Sequence, residues 1–504
     1  MKISGIKANN IDLGILADLN AVAKRLANQD STIWGPNTEA KTRLNWVTLP
    51  IKSRELLPIL DAISAWSRSY GHDYFILCGM GGSSLAPEVI ASTYRKSLVV
   101  LDSTDPAQIL NSLPGDLSKT LVIISSKSGT TIETQSQFEF YKKKFIDNNL
   151  DPLDHIIMIT DPGTLFDESS RSAGYKVINA DPNVGGRFSA LSAFGLVPAA
   201  LLGVDVSILL DDAEKVSKSF VDLNSPAAVI AAALYSLTDQ VIEFSDSNSQ
   251  TAGLSDWIEQ LIAESTGKDK TGRLPVIVEE VSSSASTIKI GFAEGPYDLI
   301  IEATLGEQFI LWEWVTALLC YLLRVDPFNQ PNVTEAKDRT SSILGTKSGD
   351  MLTIPPLVFE DTDFAIFSYI NLSSISEFIK LSTGYFAVMA YLTRGKDDEI
   401  IKIRSLISTK SNVPTTFGWG PRFLHSTGQL HKGGQTNGAF IQITGEIDVD
   451  VLIPNKEFTF KQLQMAQALG DAQALSERGL PIIRIHLKNR KKGIARIIAE
   501  LEKN

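Results

Sequence analysis

The chain has 504 residues, more than one apolar core can organise, so two or three domains are expected. Its 43% hydrophobic and 21% charged content is that of an ordinary globular protein. A formal net charge of −11 excludes a global basic footprint, so no nucleic-acid partner is expected and an anionic ligand needs a local patch.

Cys78 and Cys320 sit in apolar runs and read as buried, inert thiols, pointing to neither a disulfide framework nor a thiol metal site. The segment Met1–Lys7 has no signal-type apolar region. The longest apolar stretches, 190–204 and 309–323, are too short for a membrane span, contain Pro198 and Glu313 respectively, and read as buried helices. A cytoplasmic location with no membrane partner is expected.

Residues 1–70 read as a helical segment with Leu16, Leu19, Val22, Ala23 and Leu26 on one face. In 71–200, the strand Tyr74–Cys78 runs into Gly79-Met80-Gly81-Gly82-Ser83-Ser84, and a helix opens near Pro87. Leu98–Leu101, Leu121–Ser125 and His155–Thr160 are further strands. This alternation predicts an α/β parallel-sheet domain with flanking helices, whose ligands sit at the carboxyl ends of strands. A second α/β domain is expected over 201–345, with strands near 274–281, 287–292 and 299–303 and a buried helix near 308–323. Residues 346–504 form a C-terminal α/β region with strand-like segments Phe440–Thr444 and Ile482–His486 and a Lys/Arg-rich last helix.

The most informative stretch is 121–134, Leu-Val-Ile-Ile-Ser-Ser-Lys-Ser-Gly-Thr-Thr-Ile-Glu-Thr. A β-branched strand stops at Ser125 and enters a hydroxyl-rich loop. Ser126, Ser128, Thr130 and Thr131 offer donors, Gly129 lets the backbone approach, and Lys127 adds a charge. A helix starting near Thr131 contributes free amides and a positive dipole end. The pattern is a socket for a small dianion, a phosphate monoester. The Gly79–Ser84 run lacks the spaced glycines of a dinucleotide loop and the Gly-Lys-Ser/Thr of a nucleoside-triphosphate loop.

Four further stretches could carry chemistry. Asn183-Val-Gly-Gly-Arg187-Phe-Ser189 places one permanent charge at a helix start, either to hold an oxyanion or as a turn with a surface Arg. Gln260 and Glu264 lie one helical turn apart, so Glu264 is a general base or a solvated helix-end carboxylate. Pro327-Phe-Asn-Gln330-Pro331…Lys337 is a turn into a helix, with Pro331 suited to its first turn and Gln330 and Lys337 on one face. His425-Ser-Thr-Gly-Gln-Leu-His431-Lys-Gly-Gly holds two of five histidines in a glycine-bearing loop, with no accompanying ligand cluster for a metal.

Taken in order, these five elements resemble the phosphoglucose isomerase family, built from two sugar-isomerase domains. Gly81-Gly82-Ser83 is similar to its Gly-Gly-Ser turn. Ser126-Lys127-Ser128-Gly129-Thr130-Thr131-Ile132-Glu133-Thr134 is similar to its Ser-Lys-Thr-x-Thr-Thr-x-Glu-Thr loop. Asn183–Ser189, Gln260…Glu264-Ser-Thr-Gly-Lys268 and Phe328-Asn-Gln330…Lys337 match its remaining motifs. The C-terminal third resembles the isomerase part of bifunctional transaldolase–phosphoglucose isomerase proteins, and no transaldolase segment is present.

The resemblance implies an aldose–ketose isomerase acting on a sugar phosphate, glucose 6-phosphate to fructose 6-phosphate, in glycolysis and gluconeogenesis. It implies a homodimer and no metal or redox cofactor. Gly82, Ser83, Ser126, Lys127, Ser128, Thr131, Gln260 and Gln330 would bind substrate. Glu264 would be the base, Arg187 would stabilise an enediolate, and Lys337 would help open the ring. The family's ring-opening His lies between its Glu and Lys motifs, and this chain has none there. His425 is therefore expected to take that role from a displaced position, with His431 second. Two alternatives carried alongside are a dual phosphoglucose/phosphomannose isomerase and a non-catalytic sugar-phosphate-binding regulator. The regulator would need the phosphate loop but no base.

Overall fold

The computed structural model describes residues 1–5, 11–237, 240–284, 287–345, 355–370, 372 and 374–503, with the side chains of 334–338 and 341 outside the description. The chain divides into two compact units. Met1–Asp102, Ser112–Thr266 and Thr271–Asn329 form the first, and Ser103–Asn111, Gly267–Lys270 and Gln330–Asn504 the second.

Among the described residues the first unit holds two sheets. The strands β1 (Lys2–Ser4), β2 (Tyr74–Gly79), β3 (Val99–Leu101), β4 (Thr120–Ser125), β5 (Ile156–Thr160) and β6 (Lys176–Asn179) come first in the chain. β3-β2-β4-β5-β6 make one sheet with every pairing parallel. Runs such as Leu121-Val-Ile-Ile124 are apolar without alternation because both faces are covered, and all of β4 is buried. The register places Gly79 opposite Ser125, so the loops after β2 and β4 leave from neighbouring carboxyl ends.

The second sheet adds β7 (Val241–Ser245), β8 (Leu274–Ile277), β9 (Ile288–Gly291) and β10 (Leu299–Glu302), in the order β1-β10-β9-β7-β8. Only β1 runs antiparallel, against β10. Residues 1–70 are therefore not helical throughout: Lys2–Ser4 extends as an edge strand. Its first ammonium is held by Glu307 Oε1 at 3.2 Å, and Lys2 by Glu302 at 2.8 Å. Downstream, helix Leu13–Ala27 buries Leu16, Leu19, Val22, Ala23 and Leu26, the apolar face read from the sequence. One apolar cluster runs through both sheets, joining Leu121 and Ile123 to Ile242, Ile288 and Ile301. Helix Leu305–Leu323 is buried on all sides over residues 305–320, Glu313 included, as its mostly apolar sequence requires.

Among the described residues the second unit has six strands: β11 (Leu357–Glu360), β12 (Phe364–Ser368), β13 (Tyr385–Tyr391), β14 (Thr415–Trp419), β15 (Gly438–Gly445) and β16 (Ile482–Leu487). Their order is β11-β12-β16-β15-β13-β14, parallel from β16 to β14 and antiparallel at β12 and β11. Phe386, Val388, Ile441, Ile443, Ile483 and Ile485 share one core with Ile403 and Ile497 of helices Lys402–Ser411 and Arg490–Glu502. The opposite parity faces helix Phe460–Ser476, where the Gln442 amide donates to Ala468 O at 2.8 Å.

The fold class is α/β, with two parallel-type sheets and flanking helices followed by a C-terminal α/β sheet. Among the described residues no helix is long and apolar enough to cross a membrane.

Candidate active site

The loop after β4 is fixed by its own short side chains. The Ser126 amide donates to Ile159 O at 3.0 Å, continuing the β4–β5 ladder one step past the strand. Ser126 Oγ then accepts from the Gly129 amide at 3.2 Å and donates to Thr131 Oγ1 at 3.2 Å. Ser128 Oγ meets Thr130 Oγ1 at 2.9 Å, and Gln135 Nε2 donates to Gly129 O at 2.7 Å. Gly129 adopts φ +68°, and a Cβ there would lie 2.2 Å from Phe166 Cβ, so only glycine fits. Helix Ile132–Asp147 starts where expected, and no side chain caps its N-terminus, since the Thr131 hydroxyl is engaged with Ser126. The helix end thus keeps amides for an anion.

Lys127 is not a free charge. Its Nζ forms an ion pair with Asp161, just past β5, and donates to Pro182 O at 3.2 Å. Burial lowers the Lys127 pKa and raises that of Asp161, each against the pull of the other.

The glycine turn Gly81–Ser83 packs directly beside this loop. A Cβ on Gly79 would be 3.0 Å from Ser125 O and 3.1 Å from Ser83 Cβ. On its other side, a Cβ on Gly82 would be 2.0 Å from Gly186 O, so the backbones of Gly82 and Gly186 touch. Ser189 Oγ donates to Gly186 O at 2.6 Å, closing the tight turn Gly186–Phe188. Phe188 anchors that turn between Trp46 and Phe328, with ring centroids 5.1 and 5.2 Å away.

Arg187 leaves this turn and is buried. Nη1 meets Glu264 Oε1 at 3.0 Å, Nε donates to Ser265 Oγ at 2.8 Å, and Nη2 donates to Pro327 O at 2.6 Å and Asn329 O at 3.1 Å. Glu264 lies near the end of helix Leu254–Thr266, most of which is buried. Its other oxygen accepts from Gln260 Nε2 at 3.1 Å, confirming their shared face. The carboxylate is therefore a buried, oriented group, and the solvated alternative is set aside. Neighbouring contacts run from Ser126 through Ser125, Ser83, Gly82 and Gly186 to Arg187 and Glu264. The hydroxyl loop, the Arg187 cation and the Glu264 carboxylate are thus linked by a series of close approaches.

The other expected residues belong to the second unit. Gln330 does not share a helical face with Lys337. The helix runs from Val333 to Gly345, Pro331 and Asn332 form a turn before it, and Gln330 is exposed. The reason is tertiary: the Asn332 amide donates to Gln429 Oε1 at 3.0 Å, while Gln429 Nε2 donates to Asn332 Oδ1 at 2.8 Å and Gly267 O at 2.9 Å. Lys337 falls within the helix, but its side chain lies outside the described residues. His425 is half-buried at the end of the turn Arg422–His425. His431 is buried in helix Gly428–Gly433, its Nδ1 3.1 Å from Tyr385 OH and its ring against Phe440. Burial, aided by the Lys432 charge, pushes its pKa down to about 3, so the ring is neutral.

Sequence reasoning missed Asp161, Ser265 and Gln429. Asp161 occupies a strand carboxyl end, a position that by itself marks it; Ser265 directly follows Glu264 in the motif.

The parallel sheets, with the hydroxyl loop and glycine turn at adjacent strand ends, define a sugar-isomerase type of α/β fold. Residues 66–293 match the family model described as phosphoglucose isomerase. A probable glucose-6-phosphate isomerase of Methanococcus maripaludis is 32% identical over 254 residues, 47% of this chain and 57% of that relative. The glucose-6-phosphate isomerase of Methanocaldococcus jannaschii is 30% identical over 253 residues, 48% of this chain and 62% of its own. The crystal structure of a glucose-6-phosphate isomerase from Chlamydia trachomatis superposes with a TM-score of 0.54 at 17% identity, over 66% of this chain and 84% of that one, a likeness of fold. The match spans only about six-tenths of the length of these curated relatives. Over residues 66–293 the chain is thus similar to the phosphoglucose isomerase family.

Proposed function

We propose that the chain is a glucose-6-phosphate isomerase, interconverting glucose 6-phosphate and fructose 6-phosphate in glycolysis and gluconeogenesis, as a cytoplasmic homodimer. The observation that carries this reading is the buried Arg187–Glu264 contact, linked by close approaches to the phosphate-type loop. The names of the relatives support it.

In this reading the substrate phosphate sits on Ser126, Ser128, Thr131 and Lys127, with Gly82 and Ser83 alongside. Gln260 and Gln330 line the sugar. His425 and Lys337 move a proton between the ring oxygen and the C1 hydroxyl, which opens the ring. The burial of His431 favours His425 for this step. Glu264 takes the C2 proton of the aldose, leaving a cis-enediolate, and returns it to C1, while a proton moves from O2 to O1. No net oxidation occurs and the carboxylate is regenerated. Arg187 offsets the negative charge that develops on the enediolate oxygens. A passive sensor needs the phosphate loop but no base, and this chain carries a buried carboxylate, Glu264, beside Arg187. The test is a coupled assay: the wild-type chain turns over fructose 6-phosphate, and an inactive wild-type chain that still binds the sugar phosphate would leave a sensor instead.

A further inference from the structure

We infer that Asp161 is the counter-ion that Lys127 exchanges for the substrate's phosphate, so that this carboxylate weakens phosphate binding and speeds release. The inference deepens the proposed function and rests on reading Ser126–Thr131 as the phosphate seat.

The geometry is specific. Lys127 and Asp161 are tied through their backbones as well as their side chains. The Asp161 amide donates to Lys127 O at 3.2 Å, and Thr160 Oγ1 donates to the same oxygen at 3.2 Å. These bonds join the loop after β4 to the end of β5, so the two main chains stay together while the Lys127 side chain is free to swing. The pair is mostly buried, with side chains 23% and 13% exposed, which leaves solvent little part in screening it. Among the described residues, the further charges that act on the pair oppose each other. Arg43 donates to Pro182 O at 2.9 Å and is within electrostatic reach of both groups, but Asp181 opposes it. A dianion reaching the loop therefore meets a cation already neutralised.

Only one Asp161 oxygen holds Lys127. The other, Oδ1, is buried without a hydrogen-bond partner. Losing Lys127 would leave this buried carboxylate without a charged partner, so it competes with the phosphate for the lysine and holds phosphate affinity down. Phosphate offers Lys127 two charges against the carboxylate's one. The exchange is thus favourable when substrate arrives and reversible when product leaves. Asp161 touches no reacting atom; it is a positioning residue.

The test is Asp161→Asn in the full-length chain, which keeps the side chain's size and removes its charge. Binding of inorganic phosphate is followed by calorimetry, and fructose 6-phosphate turnover in parallel. Phosphate affinity should rise about tenfold, a gain of about 1.4 kcal/mol, with a matching fall in KM and no rise in kcat. The gain should vanish when Lys127→Met is added. A merely structural Asp161 would give weaker binding and a lower melting temperature, and unchanged or weakened phosphate binding would overturn the inference. Wild-type protein that binds no phosphate, or binds it equally well after Ser126→Ala with Thr131→Ala, would instead remove the seat itself.

Discussion

Arg187 Nη1 stands 3.0 Å from Glu264 Oε1, with only 3% and 8% of the two side chains exposed. Two opposite charges so far from water depend on each other. Replacing Arg187 by Leu leaves the carboxylate uncompensated and strands Pro327 O and Asn329 O without their donor. About 3–5 kcal/mol of stability should be lost, read by denaturant unfolding. Arg187→Lys restores a charge but not the fork that serves four acceptors, so it should recover part of the stability and little of the turnover.

Gly129→Ala should raise KM for fructose 6-phosphate more than it lowers kcat. The new Cβ meets Phe166 Cβ at 2.2 Å at a φ of +68°, so the loop must move. Left-handed strain and overpacking together cost roughly 1–3 kcal/mol. Steady-state kinetics with a thermal melt separates a displaced loop from an unfolded chain.

His431 should make the protein acid-sensitive. Its folded pKa, about 3, lies below the usual 6.5, so the unfolded chain binds the proton more readily. Its contribution is complete above about pH 6.5 and is lost as pH falls toward 3, reaching about 2 kcal/mol at pH 5. His431→Phe should flatten that part of the stability profile. His72, whose burial brings it to about 4, contributes a second component that this substitution leaves in place.

The sequence made the loops of the first unit legible because they depend on local chemistry. Thr131 could be read as a helix start, and Leu121–Ser125 as a strand, from their own residues. The pairing of Arg187 with Glu264 was not read: the resemblance gave each a role, and nothing local joins a turn to a helix so far along the chain. Gln330 was misplaced because Pro331 looks like a first-turn proline, while a side chain nearly a hundred residues on, Gln429, holds the Asn332 amide out of the helix. β13, with its Ala and Met, and the short β11 and β12 did not stand out from 346–504, where only β15 and β16 were read. Asp161 was missed because its partner, Lys127, belongs to another loop.

Glu313 should act in the sense opposite to His431. It is fully buried, has no partner among the described residues, and burial raises its pKa well above 4.5, so it is folded in neutral form. The unfolded chain releases that proton above about pH 4.5, so stability falls as pH rises past that point. Glu313→Gln should therefore stabilise the protein by about 1–3 kcal/mol at pH 8 and by little at pH 4, as melts at the two pH values would show.

The most direct measurement is the rate at which solvent deuterium enters C2 of glucose 6-phosphate, compared between the wild-type chain and Glu264→Gln. With Glu264 as the base, the wild type exchanges C2 during turnover, and Glu264→Gln slows exchange by about 10²–10⁴-fold while still binding the sugar phosphate. Exchange at a near-wild-type rate in Glu264→Gln would contradict the assignment of Glu264 as the group that moves the proton.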